Sequence, residues 1–203
     1  MRVALVAACL AGALVVAGCG ADQTPTGQVP APASSAAMAS SSPAAPGRTL
    51  PMPSGAAVQL DPALLSVLPG SVGGVPVSQE PESFAEALKD PAFVASVDRA
   101  VFAIAVSGGD LTSGVVAHLR QGVYSDAMFG DWRATYDEGA CAQAGGVVAR
   151  AQETFAGRTT YVTTCGGGLR VYHTYVASRG VIVSLFSTGT QDFGAQLMGG
   201  IQG

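Results

Sequence analysis

Proline stops at residue 91. Seven of the chain's twelve prolines lie between residues 20 and 57, and none follows Pro91. A segment dense in proline and poor in bulky apolar groups builds no core, because nothing offsets the entropy of ordering it. Beyond it the composition turns to Val, Phe, Tyr and Thr in patterned runs. The shift separates an Ala/Ser/Pro linker over residues 19–57, expected to be disordered, from a single globular domain over residues 58–203. That length suits one sizeable core and is short for two.

Inside the domain the periodicity alternates between helix and strand. Asp61-Pro62 predicts a short helical turn through Leu64 and Leu65, which Pro69-Gly70 and Gly73-Gly74 break. Pro81 starts a helix with Phe84 and Leu88 on one face, and Asp90-Pro91 restarts another with Phe93 and Val97 on its buried side. Ala100 to Val106 is apolar throughout, which predicts a central strand covered on both faces. Val115 to Arg120 reads as the next strand, with Val115, Ala117 and Leu119 on one side and Val116, His118 and Arg120 on the other.

Ser125 or Asp126 caps a helix running to about Cys141. Its Phe129, Trp132, Tyr136 and Ala140 form an apolar stripe, with Asp131, Asp137 and Glu138 expected on a solvated face. Four strands follow, at 147–154, 159–165, 169–177 and 181–187, joined by connections short enough for antiparallel hairpins. Thr190 or Asp192 then caps a final helix carrying Phe193, Leu197 and Ile201. The fold class is α+β, a mostly antiparallel sheet of about six strands with helices packed on it.

Of four cysteines, Cys9 lies in the N-terminal leader and Cys19 directly follows it, which leaves Cys141 and Cys165 for the domain. In an oxidising compartment this pair predicts a disulfide. Closing a loop of about 25 residues contributes roughly 3 kcal/mol in the chain-entropy picture. There is no Cys-x-x-Cys spacing and no histidine nearby, so neither a redox pair nor a metal site is expected.

The formal charge is −4, Lys89 is the one lysine, and no basic run exists. A nucleic-acid partner needs a clustered positive footprint, so none is expected. The two histidines, His118 and His173, both fall in predicted strands. His173 shares a side with Val171 and Tyr175. A hydrolytic triad or a zinc site needs several groups converging on one point, and neither Gly-x-Ser-x-Gly nor His-x-x-x-His occurs. No catalytic residue, metal or cofactor is assigned. The glycine runs at 107–110 and 166–168 lack the lysine and helix context of a phosphate loop and read as turns. Arg170 and Tyr172 share one strand face, and with His118 and Arg120 they form the candidate binding surface. An ordinary sheet surface, or packing beneath another helix, is the plainer account of the Arg170–Tyr172 face. The Trp132/Tyr136 stripe serves core packing, or lines an apolar ligand pocket.

The chain opens with Arg2 and an apolar run from Val3 to Ala17 that closes as Val16-Ala17-Gly18-Cys19. The run is short for a bilayer-spanning helix and fits the apolar stretch of a signal peptide. The closing four residues resemble the lipobox of bacterial lipoproteins, a likeness confined to the leader. It implies a signal peptide over residues 1–18, cleavage before Cys19 and acylation of that cysteine, palmitate included. Each buried methylene contributes roughly 0.8 kcal/mol to membrane binding, so two or three chains anchor the protein firmly. The linker then reaches roughly 35 Å as a coil and about 120 Å as polyproline II.

The order of elements behind a lipobox is similar to that of the extrinsic oxygen-evolving-complex subunits and some mycobacterial lipoproteins. That resemblance is one of architecture without a shared motif. It implies an α/β/α sandwich and leaves function open. The resulting expectation is a lipid-anchored module on the extracytoplasmic face of a bacterial cell membrane. It would be non-catalytic and bind an envelope protein, a lipid or a glycan. The alternative is an extracellular hydrolase with a dispersed site around His118, Arg120 or His173.

Overall fold

The structure, a computed structural model, describes residues 57–203. The leader, Cys19 and the linker up to residue 56 lie outside the described residues. In chain order come β1 (Gln59–Leu60), a 3-10 turn (Pro62–Val67), β2 (Ser71–Val72), β3 (Val75–Pro76) and β4 (Ser78–Gln79). Helices α1 (Pro81–Ala87) and α2 (Pro91–Ser96) follow, then β5 (Val97–Ser107), β6 (Asp110–Leu119) and α3 (Asp126–Cys141). The chain continues through β7 (Val147–Phe155), β8 (Arg158–Cys165), β9 (Arg170–Val176), β10 (Val181–Thr188) and α4 (Phe193–Gly199).

The helix starts follow capping chemistry. Asp61, Asp90, Ser125 and Asp192 each accept a backbone N–H from the first turn that follows, satisfying a donor the helix leaves unpaired. Glu80 does the same for α1, which the sequence reading did not foresee.

Eight strands form one open sheet in the order β1-β5-β6-β10-β9-β8-β7, with β4 also paired to β5. Every pairing in it is antiparallel except β1 with β5. The six long strands are the six expected. The count rises to eight because β1 and β4, two residues each, pair along the outer edge of β5. With those neighbours β5 is paired along both edges, one place from the end of the order, while β6, β10 and β9 hold the middle. At the other edge, β7 is mostly exposed and carries Arg150, Gln152 and Glu153, which discourages pairing with another chain.

Alternation along the strands gives the sheet two apolar faces, and helices cover both. On one face Ala100, Val115, Ala117 and Ile182 pack with Phe93 of α2 and Phe129 of α3. On the other, Val101, Val116, Val183 and Leu185 pack with Val67 of the 3-10 turn and with Phe193, Leu197 and Met198 of α4. The β5–β10 frame thus positions α3 over one face and α4 over the other.

Two glycines are required by close approach. A Cβ on Gly114 would overlap the carbonyl oxygen of Ser184 on the neighbouring strand, and one on Gly194 would lie 2.7 Å from the Tyr172 ring. Cys141 at the end of α3 and Cys165 at the end of β8 form the expected disulfide, with Cα atoms 5.2 Å apart. Among the described residues no helix is long and apolar enough to cross a membrane.

Candidate functional site

Three residues of α3 face the sheet and carry polar atoms into it. Trp132 Nε1 donates to Ser184 Oγ of β10 at 2.9 Å. Ser184 Oγ is 2.8 Å from His173 Nδ1 of β9, its register partner on the next strand. His173 Nε2 is 2.9 Å from Asp137 Oδ1. Asp137 Oδ2 accepts from Thr163 of β8 at 2.6 Å and from Arg150 Nε of β7 at 3.3 Å. Tyr136 donates its hydroxyl to the Ser184 carbonyl at 3.4 Å and sets its ring edge-on to His173.

The proton positions follow from acceptor chemistry. A carboxylate only accepts, so His173 Nε2 carries the hydrogen and Nδ1 is left to accept from the Ser184 hydroxyl. The Ser184 oxygen then accepts from the indole. Hydrogen bonds thus run in one direction, Trp132 to Ser184 to His173 to Asp137. Burial lowers the His173 pKa, against the opposing pull of Asp137, and keeps the ring neutral. Burial pushes the Asp137 carboxyl upward, but the hydrogen bonds from His173 and Thr163 outweigh it and hold the carboxyl below its usual range. Burial also raises the Tyr136 phenol.

Asp137 therefore overturns the expectation of a solvated face: it is 2 % exposed. The convergence of a serine, a histidine and an aspartate is likewise something the sequence reading did not find. Its chemistry is constrained by where it lies. Ser184 is fully buried in the middle of β10, paired with Val115 on one side and His173 on the other. Those backbone groups are committed to the sheet, so they are not free to stabilise an oxyanion. The face of Oγ that a substrate would approach carries the Trp132 N–H. In this conformation the bonds act as a pin that fixes α3 to four adjacent strands, β10, β9, β8 and β7.

Next to the pin lies an open cleft of about 700 Å³, between α1 and α2 on one side and α3 on the other. Phe93, Phe102, Val115, Met128, Trp132 and Tyr136 line it. Phe93 bridges Phe102 and Trp132, with ring centroids 6.4 and 5.9 Å away. Glu86 and Lys89, an ion pair, and Asp90 and Asp131 supply its polar rim. The Trp132/Tyr136 stripe thus does both things its spacing allowed: one edge of it holds the core and the other lines a cleft.

The four surface candidates do not converge. Tyr172 is fully buried under α4 and donates to Asp192 Oδ2 at 2.6 Å. Burial and that carboxylate raise its phenol. Arg170 pairs with the same Asp192 and, at 3.3 Å, with Glu153. The α4 cap therefore organises this face: Tyr172 packs beneath the helix, and Arg170, still partly exposed, is held by two carboxylates. His118 belongs to the opposite end of the sheet. It is level with Val181, whereas Tyr172 is level with Leu185 and Gly114. Its Nδ1 is 2.7 Å from Asp98 Oδ1, and Arg120 Nη2 donates to the Val94 carbonyl.

Among the described residues no group of three or more His, Cys, Asp or Glu is placed to hold a metal ion. Scans against protein families, curated proteins and solved structures found no match to this chain.

Proposed function

We propose that this protein is a lipid-anchored module of the bacterial cell envelope that binds an acyl chain in the cleft between α2 and α3. The anchor follows from the leader and Cys19; the domain over residues 58–203 is the binding body, on the extracytoplasmic face. The observation that supports the cleft as the site is its composition: large apolar side chains supply most of its lining, with a few charged and hydroxyl groups beside them. Its volume falls within the usual range for small-molecule sites. The pin supports the reading too, because it holds Trp132 and Tyr136 in place before any ligand arrives. Helices over both sheet faces support describing the fold as an α/β/α sandwich.

Trp132 is the one tryptophan of the chain and lines the cleft, so all tryptophan emission comes from the cleft wall. Titration of the delipidated domain with a long-chain fatty acid below its micelle concentration should give a saturable blue shift. Phe93→Ser should weaken that shift at least tenfold. An emission spectrum unmoved by fatty acid and by lysophospholipid overturns the reading.

A second reading, an extracellular hydrolase, rests on the Ser184–His173–Asp137 contacts alone. It requires Trp132 to swing away from Ser184. A fluorophosphonate probe that labels Ser184 would support it, and an unlabelled Ser184 in folded protein would end it.

A further inference from the structure

A second cleft, of about 430 Å³, lies on the same sheet face as the first but on the other side of α3. It is bounded by the start of α3 and by the ends of β7, β8 and β9. Its chemistry is different. Tyr124, Tyr161 and Tyr175 line it together with Gln152, Arg158 and Ser178. Tyr124 stacks on Tyr175 at 3.7 Å, and the Arg133 guanidinium covers Tyr161 at 3.5 Å, so the rings are held rigidly.

The polar groups of this cleft are largely uncommitted. Gln152, Ser178 and the hydroxyls of Tyr161 and Tyr175 make no side-chain hydrogen bond with another described residue. Arg158 spends one nitrogen on the Ile201 carbonyl at 3.0 Å. Gln152 and Tyr161 are level with each other across β7 and β8, so an amide and a phenol present donors and acceptors side by side. No carboxylate lines the cleft.

We infer that this cleft is a saccharide-binding site. A sugar ring has apolar C–H faces and a rim of hydroxyls that both donate and accept. Rigid aromatic rings match the former, and a planar amide, a guanidinium and hydroxyls match the latter. An apolar chain would strand these polar groups without partners. A phosphate ligand would meet one lining guanidinium where a clustered positive footprint is needed. The absence of a lining carboxylate admits neutral and acidic sugars and disfavours cationic ones. The site is separate from the acyl cleft, so the two inferences stand or fall independently.

The test is a titration of the folded domain with chitotetraose and, separately, with a tetramer of galacturonic acid, followed by two-dimensional NMR. Saturable shifts at Tyr124, Gln152, Tyr161 and Tyr175 by either oligosaccharide are expected. Gln152 is on an edge strand, so Gln152→Ala should keep the fold and weaken binding at least fivefold. Tyr124→Ala should weaken it at least tenfold. Added fatty acid should leave the shifts in place. Neither sugar moving these residues, or shifts that Gln152→Ala and Tyr124→Ala leave unchanged, would overturn the assignment.

Discussion

His173 Nε2 lies 2.9 Å from Asp137 Oδ1 where neither side chain is more than 3 % exposed. Removing the carboxylate would strand the His173 N–H and the Thr163 hydroxyl together. Asp137→Ala is therefore expected to lower stability by about 3–5 kcal/mol. Glu138→Ala, one residue on and exposed, should change it by no more than about 0.5 kcal/mol. Urea unfolding of the two variants at pH 7 checks the contrast.

Ser184 links the indole to the imidazole. Ser184→Ala leaves the Trp132 N–H without its acceptor, an expected loss of about 1–3 kcal/mol. Trp132 emission should change in the folded variant as well. A stability equal to that of the parent protein would show that the chain of bonds does not fasten α3.

Acid should weaken the domain in two steps. Folded His173 titrates below its ordinary 6.5, so the unfolded chain takes up a proton that the folded one refuses. The stability this site contributes is present above about pH 6.5 and declines as the pH falls below it. Asp137, also lowered, adds a second decline below its ordinary 3.8. Thermal unfolding followed from pH 8 to pH 3 should show a plateau and then both declines, and His173→Gln should abolish the first.

The β7–β8 hairpin turns through Ala156 and Gly157, both at positive φ, with Phe155 level with Arg158. A two-residue turn of this kind favours Asn-Gly, because alanine is strained in the left-handed region. Ala156→Asn is expected to stabilise the domain by about 0.5–1 kcal/mol, read as a rise in melting temperature. An unchanged or lower melting temperature would count against strain at this turn.

Much of this architecture is written in local pattern. Strand β5 declares itself by an unbroken apolar run, β6 by alternation, the later strands by the glycine-rich turns between them, and four caps by an Asp or Ser at a helix start. The Cys141–Cys165 bridge follows from there being no other cysteine in the domain to pair with. Asp137 was hidden by the choice of row. The apolar stripe runs through Phe129, Trp132 and Tyr136, but a second row of residues four apart runs Phe129, Arg133, Asp137, Cys141. Three of those four are buried. A carboxylate on that row signals a buried partner, and the partner is two strands' worth of sequence away. The short strands β1 and β4 were illegible because two residues carry no period. The second cleft was illegible because its lining comes from four separate segments.

Helix α3 is fastened along its whole length. Tyr124 stacks on Tyr175 just before its start, the buried bonds of Trp132 and Asp137 hold its middle, and a covalent bridge closes its end. Helix α1, across the first cleft, has no buried residue at all. The two walls of the cleft are thus mechanically unequal, an anvil facing a leaf spring. Widening to admit a bulkier occupant falls to α1, whose amides should exchange with solvent well ahead of those in α3. Selectivity for ligand girth would then be tuned by the cleft-lining residues of α1, such as Ser83 and Glu86.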